Sequence, residues 1–186
     1  MQEKAVSILN ENRIMAIATL RPDGWPQTTI VGYANDELLI YFIVSRHGQK
    51  LANIRNDNRV SLSIGRDFHD PSSIRALSIA GHVSEVIDEK QRKKAVDMVL
   101  ARHPGLRKLE KPEPSHSAVM LLFPSTVTIL DYSKGLGHAD VLTVSPGGDV
   151  TSTGRSRWET TFVSLTWPAT GCHSPRSSEP STATGT

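Results

Sequence analysis

Two basic residues four apart, Arg46 and Lys50, follow a serine where a β-rich segment gives way to helical spacing. Ser45 stands at that junction as a candidate N-cap, because its hydroxyl can accept from an early helical N–H. Arg46, His47, Gln49 and Lys50 then fill the expected first turn. Cations there oppose the helix macrodipole, which favours negative charge at an N-terminus. At i,i+4 spacing Arg46 and Lys50 also set like charges on one face, at a cost of roughly 0.2–0.5 kcal/mol. A bound anion would resolve both conflicts, since free N–H groups, dipole and two cations would converge on it. Each charge-assisted hydrogen bond would contribute about 1.5–3 kcal/mol. Alternatively both side chains extend into water, and spacing alone leaves the two readings open.

Other candidates carry less. The seven histidines show neither H-x-x-x-H nor paired-cysteine spacing, which argues against zinc, and none is singled out as a haem ligand. Ser145–Gly148 is glycine-rich but does not join a strand to a helix, as a phosphate loop would. Trp25, just past a turn, reads as a packing residue at a barrel rim or as a shield over a cofactor face. Asp131–Gly135 with Gly137 and His138 is a polar turn, read either as a substrate or dimer-contact loop or as an ordinary connection. No acid–base pair stands out.

The elements that must position these residues follow from periodicity. Residues 2–12 give a short amphipathic helix, with Ala5, Val6 and Leu9 on one stripe. Strands are expected over 13–20, 26–33 and 38–44, joined by Arg21-Pro22-Asp23-Gly24 and Asn35-Asp36 turns. A helix over 45–56, strands over 59–64 and 74–86, and a helix over 88–103 ended by Pro104-Gly105 come next. The final expected strand covers 118–130, with Pro124 breaking or bending it. This order suits an antiparallel barrel with helices outside and lacks the alternation of a doubly wound sheet.

At 186 residues the chain fits one domain with a tail: a folded body over 1–144, then Ser/Thr/Gly/Pro-rich residues 145–186 read as flexible. Within that tail, Trp158–Trp167 is the one piece that could add a strand. The single Cys172 forms no intramolecular disulfide, and no apolar run approaches the ~20 residues of a membrane span. Residues 1–12 lack an export signal. A net charge of +2 gives no support for a general nucleic-acid or membrane binder. The expectation is a soluble cytoplasmic protein.

Three segments taken together resemble the pyridoxamine 5′-phosphate oxidase-like family of FMN-binding split barrels. They are Ala18–Thr29, Leu39–Arg46, and Lys50-Leu51 with Asn58–Leu62; Ala80–Val86 adds a fourth. The resemblance spans roughly residues 3–144 and implies a mainly-β antiparallel split barrel with flanking helices. It further implies a homodimer holding FMN, or a deazaflavin, in a groove between subunits; haem is a weaker alternative. By position, Arg46 and Lys50 would hold the cofactor phosphate, with Ser45 capping the helix below and His47 as a second, weaker basic contact. Gln27, Thr28 and Thr29 would run beside the isoalloxazine ring, and Ile40 and Tyr41 would line the ribityl chain. An oxidoreductase acting on a small organic substrate is implied, the flavin carrying the electrons while the protein positions it. One departure matters. The vitamin B6 oxidases end in an arginine- and tryptophan-rich segment, of which Arg155-Ser156-Arg157-Trp158 is only an echo, so pyridoxamine phosphate is not the expected substrate. A flavin-, deazaflavin- or haem-binding module without turnover is the alternative.

Overall fold

A computed structural model describes residues 1–108 and 113–153. In chain order these form α1 (Gln2–Glu11), β1 (Ile14–Leu20), β2 (Pro26–Asp36), β3 (Leu39–Ser45), α2 (Gln49–Asn56), β4 (Arg59–Ile64), β5 (Arg75–Glu85), α3 (Glu89–Arg102), β6 (Ser117–Asp131), β7 (Ala139–Val144) and β8 (Val150–Thr153). All pairings are antiparallel, in the order β3-β2-β1-β4-β5-β6-β7-β8, and β3 also pairs with β6. That last pairing closes six strands into a barrel, with β7 and β8 extending the sheet beyond it. The expected fold class is the one observed.

Alternation builds the barrel. Met15, Ile17, Ile40, Phe42, Leu62, Ile64, Leu77, Ile79, Met120 and Leu122 point inward and are essentially inaccessible. Burial of each contributes about 1.5–3 kcal/mol. The run Leu39–Val44 is apolar on both faces because both are covered. Its other face, with Tyr41 and Ile43, packs under α3 against Ala95 and Val99.

Pro124 does not break β6, which runs unbroken from Ser117 to Asp131. The register with β5 instead slips between Ala80 and Gly81, where Gly81 faces Pro124 and Ala80 faces Thr126. The bulge absorbs the residue that cannot donate. Gly81 is required there: a Cβ would sit 2.3 Å from the Phe123 carbonyl oxygen.

The folded body does not stop at residue 144. Ser145–Asp149 is a hairpin turn, with the Ser145 N–H donating to the Asp149 carbonyl at 2.9 Å and Gly148 at φ 88°. It returns the chain along β8, whose Val150–Thr153 pair with Val144–Val141. The residues read as a possible strand, Trp158–Trp167, and the Arg155–Trp158 echo lie outside the described residues.

Candidate functional site

The barrel is split along one side of β2. Tyr33–Asp36 pair with β3, whereas residues 26–32 have β1 on one side and, among the described residues, no strand on the other. Backbone geometry fixes which groups face the gap. The Tyr33 N–H donates to the Arg13 carbonyl and the Arg21 N–H to the Trp25 carbonyl. Antiparallel ladders alternate, so Gln27, Thr29 and Val31 spend their main-chain groups on β1. Thr28 and Ile30 therefore present N–H and C=O to the open edge, and such groups need partners.

Side chains converge on the same gap. Asn53, fully buried on α2, donates to Gln27 Oε1 at 3.0 Å and to Thr19 Oγ1 at 3.0 Å. Gln49 in turn donates to Asn53 Oδ1 at 2.9 Å. This chain holds the Gln27 carbonyl oxygen and leaves its NH2 group without a partner among the described residues. A cavity of about 540 Å³ lies beside it, lined by Arg21, Pro22, Asp23, Gln27 and Gln49. Thr29 Oγ1 is buried with no hydrogen-bond partner among the described residues. Such an orphaned hydroxyl costs about 1–3 kcal/mol.

The anion site takes a different form from the one spacing suggests. Ser45 ends β3 and does not cap α2; its hydroxyl accepts from the His47 N–H at 3.3 Å within a tight turn. The helix begins at Gln49 with extended Gly48 as its N-cap and no side-chain cap. Arg46 and the exposed His47 therefore precede the helix, and the like-charge helical pair with Lys50 does not form. Arg46 instead turns to Glu85, donating from Nη2 at 2.6 Å, while its Nε donates to the Pro114 carbonyl. Arg55, further along α2, reaches the other Glu85 oxygen at 3.5 Å.

Lys50 behaves differently. It is half-buried, makes no ion pair or hydrogen bond among the described residues, and burial lowers its pKa. The Gln49 and Lys50 N–H groups open α2 without acceptors among the described residues. A desolvated, unpartnered ammonium beside an uncapped helix start is a place where an anion is favoured.

Ile40 and Tyr41 do not line the gap. Ile40 is wholly inaccessible inside the barrel and Tyr41 is buried beneath α3. Both edges of β3 are also taken at these residues, Tyr41 lying between Ala34 and Leu121. Neither a side chain nor the backbone there is free for a ribityl chain. The open edge thus carries Gln27, Thr28 and Thr29; Lys50 lies on α2, the helix that Asn53 ties to Gln27. Arg46 is held on Glu85, and Ile40 and Tyr41 are buried elsewhere. Asn53 was missed from sequence, although an asparagine on the apolar arc between Leu51 and Ile54 was its signal.

A wider groove of about 1040 Å³ lies between the β2–β3 turn, the β6 bulge and the β7–β8 turn. It includes His82, Phe123 and Pro124 and none of the residues expected to bind cofactor. Among the described residues no three His, Cys, Asp or Glu side chains are grouped to hold a metal ion. No described helix is long and apolar enough to cross a membrane.

A six-stranded antiparallel barrel split beside a helix start, with two further strands and three helices, defines the split-barrel class of fold. Residues 1–130 match the family described as pyridoxamine 5′-phosphate oxidase, and the chain belongs to that family. Solved structures agree on the fold. A heme binding protein from Mycobacterium smegmatis superposes with a TM-score of 0.66 at 21% identity, covering 76% of this chain and 57% of the other, so the chain spans little more than half that protein's length. A pyridoxamine 5′-phosphate oxidase-related, FMN binding protein from Nostoc punctiforme gives 0.62 at 15% identity, covering 83% and 96%. HutZ, the heme storage protein from Vibrio cholerae, gives 0.54 at 15%, covering 66% and 88%. No curated protein matches the sequence.

Proposed function

We propose that this protein is an FMN-binding oxidoreductase of the family, acting on a small organic substrate other than pyridoxamine phosphate. The observation that carries the reading is the open edge of β2 at Thr28 and Ile30, with the unpartnered Lys50 on α2, the helix that Asn53 ties to Gln27 beside that edge. Lys50 and the first N–H groups of α2 would hold the terminal phosphate. The Thr28 and Ile30 backbone and the Gln27 amide would hydrogen-bond the polar ring edge, Asn53 fixing Gln27 in place. Bound flavin would supply the electron-transfer chemistry, and this chain's residues orient it and limit water around it.

A second copy of the chain belongs in the reading. Ala16 and Ala18 on β1 lie across from Ile30 and Thr28 on β2 and from Ser63 and Ser61 on β4. This outer face is low and small-chained, with Ile14 and Ile30 left 54% and 65% exposed. A partner subunit seated there would cover the open edge and complete the groove.

The test is an absorbance and fluorescence titration of the purified protein with FMN. Flavin bands and quenched fluorescence at micromolar affinity support the reading, and reduction by NADH or NADPH extends it to an enzyme. Uptake without any reduction favours a binding module. A haem band in place of flavin uptake overturns the cofactor, and a deazaflavin is the next ligand to compare.

A further inference from the structure

Beside the proposed site the protein holds an anion of its own. Glu85 stands at the end of β5 and meets Arg46 at 2.6 Å and Arg55 at 3.5 Å, one carboxylate oxygen to each. It joins the turn before α2, the far end of α2 and the end of β5. Its side chain is 20% exposed and that of Arg46 29%, so their attraction is less screened than a surface pair. Arg46 is further fixed by the Pro114 carbonyl. Arg46, in the turn that leads into α2, is therefore neutralised before any ligand arrives. Lys50 and the uncapped N–H groups remain unmatched.

We infer that Glu85 is a specificity-determining residue which competes with a ligand's terminal phosphate for Arg46, and so sets how strongly the site prefers phosphorylated over unphosphorylated flavin. This rests on the cofactor reading above for the location of the phosphate. A dianionic phosphate must either displace Glu85 from Arg46 or bind through Lys50 and the helix start alone. In both cases affinity is lowered by the carboxylate, whereas a neutral ribityl terminus is indifferent to it. Removing the charge at position 85 while keeping its shape frees one guanidinium to make charge-assisted hydrogen bonds. The expected gain is about tenfold to hundredfold in phosphate affinity.

The experiment uses two probes on wild type, Glu85→Gln and the double variant Glu85→Gln/Arg46→Ala. The first compares FMN with riboflavin by fluorescence titration. The Gln variant is expected to bind FMN at least tenfold more tightly than wild type with riboflavin unchanged, and the double variant to lose the gain. The second follows inorganic pyrophosphate by thermal shift, and so reads the anion site without a flavin. Pyrophosphate is expected to raise the melting temperature of Glu85→Gln more than that of wild type. Equal shifts in all three proteins would overturn the inference, as would an FMN-to-riboflavin preference that does not move. A pyrophosphate response gained in Glu85→Gln, with no flavin bound by any of the three proteins, would instead uphold competition by Glu85 and sink the cofactor assignment. Glu85→Ala serves for the same measurements should the Gln variant fail to fold.

Discussion

Asn53 on α2 reaches across the mouth of the split barrel to Gln27 on β2, donating at 3.0 Å from a position with no solvent access. The same amide group donates to Thr19 on β1 and its oxygen accepts from Gln49. One side chain thus ties a helix to two strands at the edge where the sheet is open. Asn53→Leu would leave Thr19, Gln27 and Gln49 without their partner, and a loss of roughly 2–4 kcal/mol in urea unfolding is expected. Gln27→Ala sits at the rim, should cost under about 1 kcal/mol, and should still weaken flavin binding severalfold in the fluorescence titration.

Lys50 separates stability from binding. Burial lowers its pKa, so the folded protein disfavours the ammonium that the unfolded chain accepts freely. Lys50→Met should therefore leave the ligand-free melting temperature unchanged or raise it. The same change should weaken FMN about tenfold to hundredfold while sparing riboflavin. In wild type, FMN affinity should fall as pH rises through the lowered lysine pKa, below the ordinary 10.5.

At the far end of the barrel, Lys4 of α1 pairs with Asp131 at the end of β6, and Ser133 donates to the same carboxylate at 2.6 Å. Burial pushes the Asp131 pKa up, but the hydrogen bonds from Lys4 and Ser133 and the lysine charge outweigh it and hold the group at about 2. A carboxylate depressed on folding stabilises the protein above its unfolded pKa. That contribution, about 2 kcal/mol, disappears as pH falls from about 4 to about 2. Asp131→Asn should lower stability at neutral pH and flatten the acid limb of unfolding over that window, measured by circular dichroism.

Gly81→Ala tests the bulge. The added methyl meets the Phe123 carbonyl and the Pro124 Cα at 3.0 Å or less, both backbone groups with no rotamer to change. A destabilisation of roughly 1–3 kcal/mol is expected in urea unfolding.

Ile30→Glu tests the second subunit. The residue is 65% exposed, so a monomer should tolerate the charge with little loss of stability. If the outer face is an interface, sedimentation should show a dimer for wild type and a monomer for the variant. Flavin affinity should fall in parallel.

Much of the barrel was legible because its strands alternate or are bounded by turn residues. Arg59–Ile64 follows strict alternation, and Arg21–Gly24 closes β1 onto β2 with Gly24 at φ 86°. The start of α2 was misplaced because Ser45 is a good cap by type. The decisive residue was Gly48, whose extended backbone delays the helix past Arg46. β7 and β8 were hidden by their turn: Ser-Pro-Gly-Gly was read as the onset of a low-complexity tail, although Val141, Leu142 and Val144 supply an apolar strand. Glu85 could not be found locally. Its partners Arg46 and Arg55 lie far from it in sequence, and only barrel closure brings them together. The same holds for Ile40 and Tyr41, which sit in the right segment but in a strand whose two faces and two edges are all occupied.

Closure of the barrel rests on β3 meeting β6, Ile40 against Leu122 and Ser45 against Ser117. The first of these strands leaves the ribosome long before the second. Until β6 emerges, the doubly apolar Leu39–Val44 is paired only with β2 on one edge, and its covering helix α3 is itself made well after it. Nascent chains then carry a strand with one open, apolar edge until β6 is made, with barrel closure deferred to that point. Slow refolding and a demand for holdase chaperones during synthesis follow from that one pairing.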